Sequence, residues 1–312
     1  MKKVLVPLVL TASFPAVAVA DVQVYGKGNV ALQHADETGN SKAELVSNSS
    51  RIGVKGSESL REGLEAIFQF EYQTNVDDGG GDGETFSQRN IYVGLRGKAG
   101  TLLAGRIDTP LKKAQNKVDL FNDLEGDIKY LFAGENRRSN QVQYRSPVVG
   151  EYFSGAIGYI TYEEDGVDPG ISASVSYDRG PLYLAAAVDR DVVMEEGAVI
   201  PDADVARFVA RYSISVVHVG ALFETYDDGF IDEDGALVSV LWDLNENWDL
   251  KAQAGSSDIN NGGGESVSLG ADYRLSAKTK LFGYYTNETN DWGCGGVGCD
   301  NDYLGVGMEL KF

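Results

Sequence analysis

Five basic residues, Lys27, Arg51, Arg106, Arg137 and Arg145, sit in segments where apolar and polar side chains alternate, and a long connection carries Asp119, Asp123, Glu125 and Asp127. Charges of opposite sign on facing walls of a wet gap would impose a transverse field, orienting dipolar solutes and disfavouring apolar ones. That work is electrostatic and makes no bonds. The competing reading is an ordinary solvated interior in which the charges only hold water. Covalent chemistry has little to build on. The two histidines, His34 and His218, lie in no recognisable nucleophile or metal motif, and a hydrolase would need Ser, His and an acid assembled from neighbouring strands. The acidic runs Asp77 to Glu84 and Asp227 to Asp234 miss the calcium-loop spacing. Neither an enzyme, nor a metal site, nor a cofactor is expected.

Such charges need elements with one wet face and one greasy face. Val22, Val24, Val30 and Leu32 share one parity against Gln23, Lys27, Asn29 and Gln33, and Leu64, Ala66, Phe68, Phe70 and Tyr72 share one against Glu65, Gln69, Glu71 and Gln73. Ile171, Ala173, Val175 and Tyr177 oppose a ladder of Ser172, Ser174 and Ser176, and the chain ends on Leu304, Val306, Met308, Leu310 and Phe312 in one parity. About 16 segments alternate in this way, with the period of a two-faced strand. Arg51 shares the inward parity of Gly53 and Lys55. Arg137 and Arg145 are inward relative to Val142 and Tyr144, and Arg106 is inward if Leu103 and Ile107 face lipid.

The connections alternate in length. Short ones fall at about Ser57 to Gly63, Gly97 to Gly100, Asp178 to Pro181, Ser213 to Ser215 and Asp243 to Asn247. Long polar ones fall at about Ala35 to Ala43, Asn75 to Ser87, Asp108 to Asn136, Asp191 to Asp204, Tyr226 to Asp234, Gly255 to Gly264 and Asn287 to Asp302. A Greek-key sandwich has no reason to alternate so, whereas an up-and-down transmembrane barrel has short turns on the periplasmic side and long loops outside. Trp242 and Trp248 flank a short turn in the lipid-facing parity, as members of an aromatic girdle with Phe312 or, on the competing reading, as core residues capping a hairpin.

Met1, Lys2 and Lys3, an apolar stretch to about Val17 and the small residues Ala18, Val19 and Ala20 describe a secretory signal peptide, residues 1–20. Without its two lysines the chain keeps 25 basic against 47 acidic residues, a net charge of −22 that disfavours nucleic acid. Nothing downstream approaches the apolar length of a spanning helix. Residues 21–312 therefore read as one β domain.

Several blocks resemble, in order, the Gram-negative general porins of the trimeric, 16-stranded kind found in Neisseria and related proteobacteria. They are VQVYGKGNVAL (Val22 to Leu32), NSSRIGVKGSESLREGLEAIFQFE (Asn48 to Glu71), RNIYVGLRGKAGTLLAGRIDTP (Arg89 to Pro110), SNQVQYRSP (Ser139 to Pro147), SLGADYRLSAKTKLFGYYT (Ser268 to Thr286) and the terminal GVGMELKF. The resemblance implies an all-β, 16-stranded antiparallel outer-membrane barrel with its third long loop, residues 108–136, folded into the lumen. It implies a homotrimer among lipid and lipopolysaccharide, passing ions and small hydrophilic solutes, and folded by the barrel-assembly machinery through the strand ending in Phe312. It matches constriction arginines to Arg51, Arg106 and Arg137. A substrate-selective channel and a non-conducting barrel used as an adhesin or structural link are the alternatives. The acidic vestibule and folded loop lead us to expect weak cation preference.

Cys294 and Cys299 lie in WGCGGVGCDND of the last long connection. In an oxidising compartment they are expected to form a local disulfide, with two free thiols as the alternative. Intact-mass measurement without reductant should give a chain lighter by two hydrogens than its reduced form.

Overall fold

A computed structural model describes residues 21–77, 85–163, 165–192, 203–259, 263–290 and 299–312. The chain opens with β1 (Asp21–Glu37), β2 (Asn40–Ser47), β3 (Arg51–Ser59), β4 (Glu65–Gln73), β5 (Ser87–Gly97) and β6 (Gly100–Asp108). A one-turn helix, α1 (Pro110–Ala114), follows, and then β7 (Arg137–Arg145), β8 (Phe153–Ile160), β9 (Gly170–Arg179), β10 (Leu182–Arg190), β11 (Asp204–Ile214) and β12 (Val217–Asp227). The rest are β13 (Asp232–Asp243), β14 (Trp248–Ser257), β15 (Gly264–Arg274), β16 (Thr279–Asn290) and β17 (Cys299–Lys311). No described helix is long and apolar enough to cross a membrane.

Strands pair antiparallel with their sequence neighbours, except that β2 and β3 both pair with β1, and β17 returns to β1 from Lys27 opposite Lys311 to Glu37 opposite Asn301. The sheet is thereby closed and has no edge strand, the condition for a sheet to survive in hydrocarbon. The upper part of β1 pairs with β2 and its lower part with β3. These two segments are one stave broken at 48–50, where Ser49 has φ 51° and Ser50 Oγ accepts the Asn29 N–H at 2.9 Å. The 17 strand segments therefore make a 16-staved barrel.

The two-faced reading holds across most staves. Val22, Val24, Leu32, Phe70, Val93, Val238, Leu304 and Val306 are exposed on the outer face, and Lys27, Asn29 and Gln33 are buried inside. Trp242, Trp248 and Phe312 are 43%, 42% and 54% exposed, outward and close to strand ends rather than in a core. Phe312 also exchanges backbone hydrogen bonds with Gly26, where any Cβ would strike its ring, and so extends the β1 to β17 seam to the last residue.

Two expected long connections are shorter than the sequence suggests. The strands at Ala35 to Ala43 run on into a two-residue turn, Thr38-Gly39, with φ 54° and 80°. Both angles are positive, which is the type I′ geometry that suits hairpin twist and that glycine supplies readily. Between Tyr226 and Asp234 only residues 228–231 leave the ladder. The expected signal segment 1–20, most of the acidic run 77–84 and Cys294 lie outside the described residues.

The connection 109–136 lies inside the barrel. Leu111, Val118, Ile128, Leu131 and Phe132 pack on inward-facing Ala185, Ala187, Val205, Val209, Leu222 and Leu237 of β10 to β13. Phe121 and Leu124 pack on Ala31, Ala35, Phe282, Tyr284 and Tyr303 of β1, β16 and β17. These two clusters are the buried apolar core, and the outer face depends on lipid instead. A charge in the middle of that face costs about 2–4 kcal/mol. Val238→Arg should lower stability by about that amount in reversible unfolding from lipid, with Val238→Leu close to unchanged.

Candidate functional site: the charged constriction

The inner loop starts at the Thr109 N-cap, whose Oγ1 accepts the Lys112 N–H at 3.2 Å, with Pro110 in the first helical turn. Its backbone is then fastened to wall side chains. Ser172 Oγ takes the Leu111 N–H at 3.1 Å, Gln253 Oε1 takes the Leu120 N–H at 2.8 Å, and Gln253 Nε2 donates to the Gly126 carbonyl at 2.9 Å. Near the exit, Arg207 is fully buried between Glu224 (2.6 Å) and Glu135 (2.7 Å), and its Nη2 donates to the Ala133 carbonyl at 2.8 Å. Asn136 Nδ2 donates to Asp189 at 3.3 Å.

The loop thus follows the inner wall from β8 round to β1 and leaves the arc β3 to β7 uncovered. On that arc and its border lie Lys27, Arg51, Arg89 and Arg137. Lys27 Nζ and Arg51 Nη2 converge on Asp123 Oδ2 at 2.5 and 3.1 Å. Arg89 Nε meets Glu71 at 3.0 Å, and Arg137 Nε meets Asp108 at 2.8 Å. Tyr25 donates its hydroxyl to the other Glu71 oxygen at 2.9 Å. Lys27, Arg51 and Arg137 thus face the lumen, and Arg145 is inward but lower, with its Nε donating to Gln143 at 2.6 Å.

Arg106 is a correction. Leu103 and Ile107 face inward, 1% and 0% exposed, whereas Leu102 is exposed outside. Arg106 pairs with Ile91 on the outer side and donates from Nη1 to Ser139 Oγ at 2.9 Å. The parity rule failed because the inward positions of β6 are themselves apolar. Arg89 was missed for a related reason: a bulge between Phe70 and Tyr72 shifts the register of β4 on β5 and turns Arg89 inward.

The loop carboxylates separate into different roles. Asp123 alone meets the basic wall. Glu125 accepts from Gln33 Nε2 at 3.0 Å and from the Tyr130 hydroxyl at 3.4 Å. Asp119 and Asp127 turn into the loop itself, a second correction. Asp127 accepts the Asp123 and Lys129 N–H groups at 2.9 and 3.0 Å, and Asp119 accepts the Phe121 N–H at 3.1 Å and Gln253 Nε2 at 3.3 Å. They are turn-forming acceptors of the kind Asp supplies in tight loops.

His218 does meet a serine and an acid. Its Nδ1 lies 2.7 Å from Ser213 Oγ and its Nε2 3.2 Å from Asp243 Oδ2, and Arg274 also reaches Asp243, at 3.5 Å. The four side chains tie neighbouring short turns together. No group of three or more potential metal ligands occurs among the described residues.

The family model for Gram-negative porins matches residues 6–293. The chain belongs to that family. The porin is 28% identical to major outer membrane protein P.IB of Neisseria meningitidis serogroup B (strain MC58), over 100% of both chains. It is 29% identical to outer membrane porin protein 32 of Delftia acidovorans, over 91% of this chain and 88% of that one. With P.IB of Neisseria sicca the identity is 34%, but the match spans 50% of this chain and 46% of the relative. Among solved structures, the anion-selective porin from Comamonas acidovorans superposes with a TM-score of 0.78 at 21% identity, over 94% of this chain and 100% of that one. OmpF of Salmonella typhi gives 0.74 at 18%, over 93% and 97%. Family and fold place the porin in the outer membrane as a channel for passive diffusion, and point to a channel rather than an enzyme.

The loop's own acids set its pH range. Burial raises the Asp123 carboxyl, but Lys27 and Arg51 outweigh it and hold the group down at about 2. Its clamp is present above the ordinary carboxylate value and is lost only as the pH falls through about 2. Asp119 runs the other way: burial, then Asp127 and Glu135, push it up to about 8. Its contribution to the folded loop is complete below the ordinary value and is lost as the pH rises through about 8. Current through the open channel should therefore become noisier between about pH 7 and 9. Asp119→Asn, which keeps a neutral acceptor, should flatten that rise in single-channel recordings.

Proposed function

We propose that the channel is a diffusion porin with a weak preference for anions, set where Lys27, Arg51, Arg89 and Arg137 face the loop carboxylate Asp123. The observation that carries this is the convergence of Lys27 and Arg51 on one Asp123 oxygen, at 2.5 and 3.1 Å. The expected cation preference rested on the acidic vestibule and the folded loop. With Asp119 and Asp127 occupied by loop backbone, the constriction keeps four cations against Asp123, Glu71 and Asp108. The solved porin from Comamonas acidovorans, described as anion-selective, has a related fold, in keeping with this reading.

The rest of the assembly follows the family plan. The long connections face outward from the cell, and both termini and the short turns face the periplasm. Trp242, Trp248 and Phe312 sit at headgroup level, where amphipathic rings are favoured. The protomers form a homotrimer, as one solved OmpT of Vibrio cholerae does in its trimer form, and contact lipopolysaccharide. The strand ending at Phe312 is the one presented to the barrel-assembly machinery. Cys294 and Cys299 form a staple within an outer loop.

Planar-bilayer recording in a salt gradient tests the proposal. Large steps closing in thirds with a reversal potential of anion sign are expected, and Arg51→Ala should move that potential toward cations. An unmoved potential would take Arg51 off the ion path. Saturating flux would indicate a substrate-selective channel, and absence of steps a plugged or structural barrel.

A further inference from the structure

Below the constriction, between α1 and the walls of β7 to β10, lies a cavity of about 390 Å³. Lys113 enters it from the loop, Arg145 from β7, Ser154 from β8, Ser174 and Ser176 from β9, and Tyr183 from β10. The serines are part of the inward ladder opposite exposed Val175, and Ser154 and Ser176 share a hydrogen bond at 2.8 Å. Diffusion alone gives no reason for two cations to converge on a hydroxyl ladder in a recess beside the ion path.

Arg145 is aimed by its Nε bond to Gln143, which leaves both Nη groups for another acceptor. The wall carboxylate with which it interacts, Asp108, is already held by Arg137 at 2.8 Å. The Tyr183 hydroxyl donates to the Ala114 carbonyl at 3.0 Å, which fixes the loop helix as the roof. Asp178, opposite Tyr183 on β9, faces the same side, and Arg211 stands opposite Tyr183 on β11. The recess is therefore cationic, lined with hydroxyl groups, and of the volume that a small ligand fills.

We propose that this recess is a solute-binding site for small hydroxylated oxyanions, such as phosphorylated or carboxylated sugars. Arg145 and Lys113 take the anionic group, and Ser154, Ser174 and Ser176 take the sugar hydroxyls. Guanidinium and ammonium donors to an oxyanion are the strong, charge-assisted kind of hydrogen bond, and serine hydroxyls both donate and accept. The site rests on the channel reading, since a solute reaches it through the lumen. It would hold anions that the constriction has passed, and so raise their occupancy within the pore.

The test is calorimetric titration of the folded protein in detergent with glucose 6-phosphate, beside gluconate and uncharged glucose. Saturable binding of glucose 6-phosphate, absent for glucose, is expected, and Arg145→Gln and Lys113→Gln should each weaken it by about tenfold. Gluconate binding as well would extend the site to carboxylates, and its failure would narrow it to phosphates. No saturable binding, equal binding of glucose, or unchanged binding in both variants would overturn the proposal. Should Arg145→Gln fail to fold, Lys113→Gln decides, because its side chain stands on the exposed face of the loop helix. Binding is read without current, so conductance steps judge the channel separately.

Discussion

Everything in this molecule depends on the demand that no backbone N–H or C=O face hydrocarbon unpaired. A sheet can meet it only by closing, and closure is made by the ladder between β1 and β17 and carried to the last residue by Gly26 and Phe312. Once the sheet is closed, the period of two acquires a physical meaning on each side. Outward positions must be apolar because lipid is their only neighbour. Inward positions are free to be charged because water reaches them. The functional charges are thus a by-product of which face the membrane leaves alone.

That freedom is then limited by a second, internal packing problem. The loop 109–136 carries Leu111, Val118, Phe121, Leu124, Ile128, Leu131 and Phe132, which need partners away from water. The wall supplies them as Ala185, Ala187, Val209, Leu222 and Leu237, inward residues that would be out of place in a bare water-filled lumen. Apolar contact therefore decides which wall the loop covers, and by exclusion which wall stays charged. The Asp123 pairing completes the geometry at the loop's far side; the buried apolar area sets it.

Much of this was legible in the chain and some was not, for definite reasons. The alternations of β1 and β3 are clean because lipid and water lie on their two sides, and Lys27 and Arg51 face inward on them. On β6 the buried inward positions Leu103 and Ile107 are apolar, so alternation read alone points the wrong way and Arg106 was assigned to the wrong face. The bulges opposite Tyr72 and at Ile107 change parity without any local signature, which hid Arg89. A signal for the covered wall existed in the inward parity of Ala185, Ala187, Val209, Leu222 and Leu237. Side-chain type alone could not separate pore-facing Asp123 from turn-forming Asp119 and Asp127, because hydrogen bonding to backbone depends on the loop's local path.

The Arg207 cluster shows why the loop behaves as part of the wall. Burying a guanidinium with Glu224 and Glu135 is a poor way to gain stability, since desolvation of the ions offsets most of their attraction and an apolar trio of equal volume would serve at least as well. What ions provide and apolar groups do not is direction. Arg207 satisfies two carboxylates and the Ala133 carbonyl at once only when the end of the loop lies in one place, and a displaced loop would leave buried charge uncompensated, at a cost of about 3–5 kcal/mol. Apolar packing along β10 to β13 would tolerate sliding by a residue, whereas this network does not. Asp123 is held at the distances from Lys27 and Arg51 that the constriction requires because the opposite end of the same loop is fixed in this way.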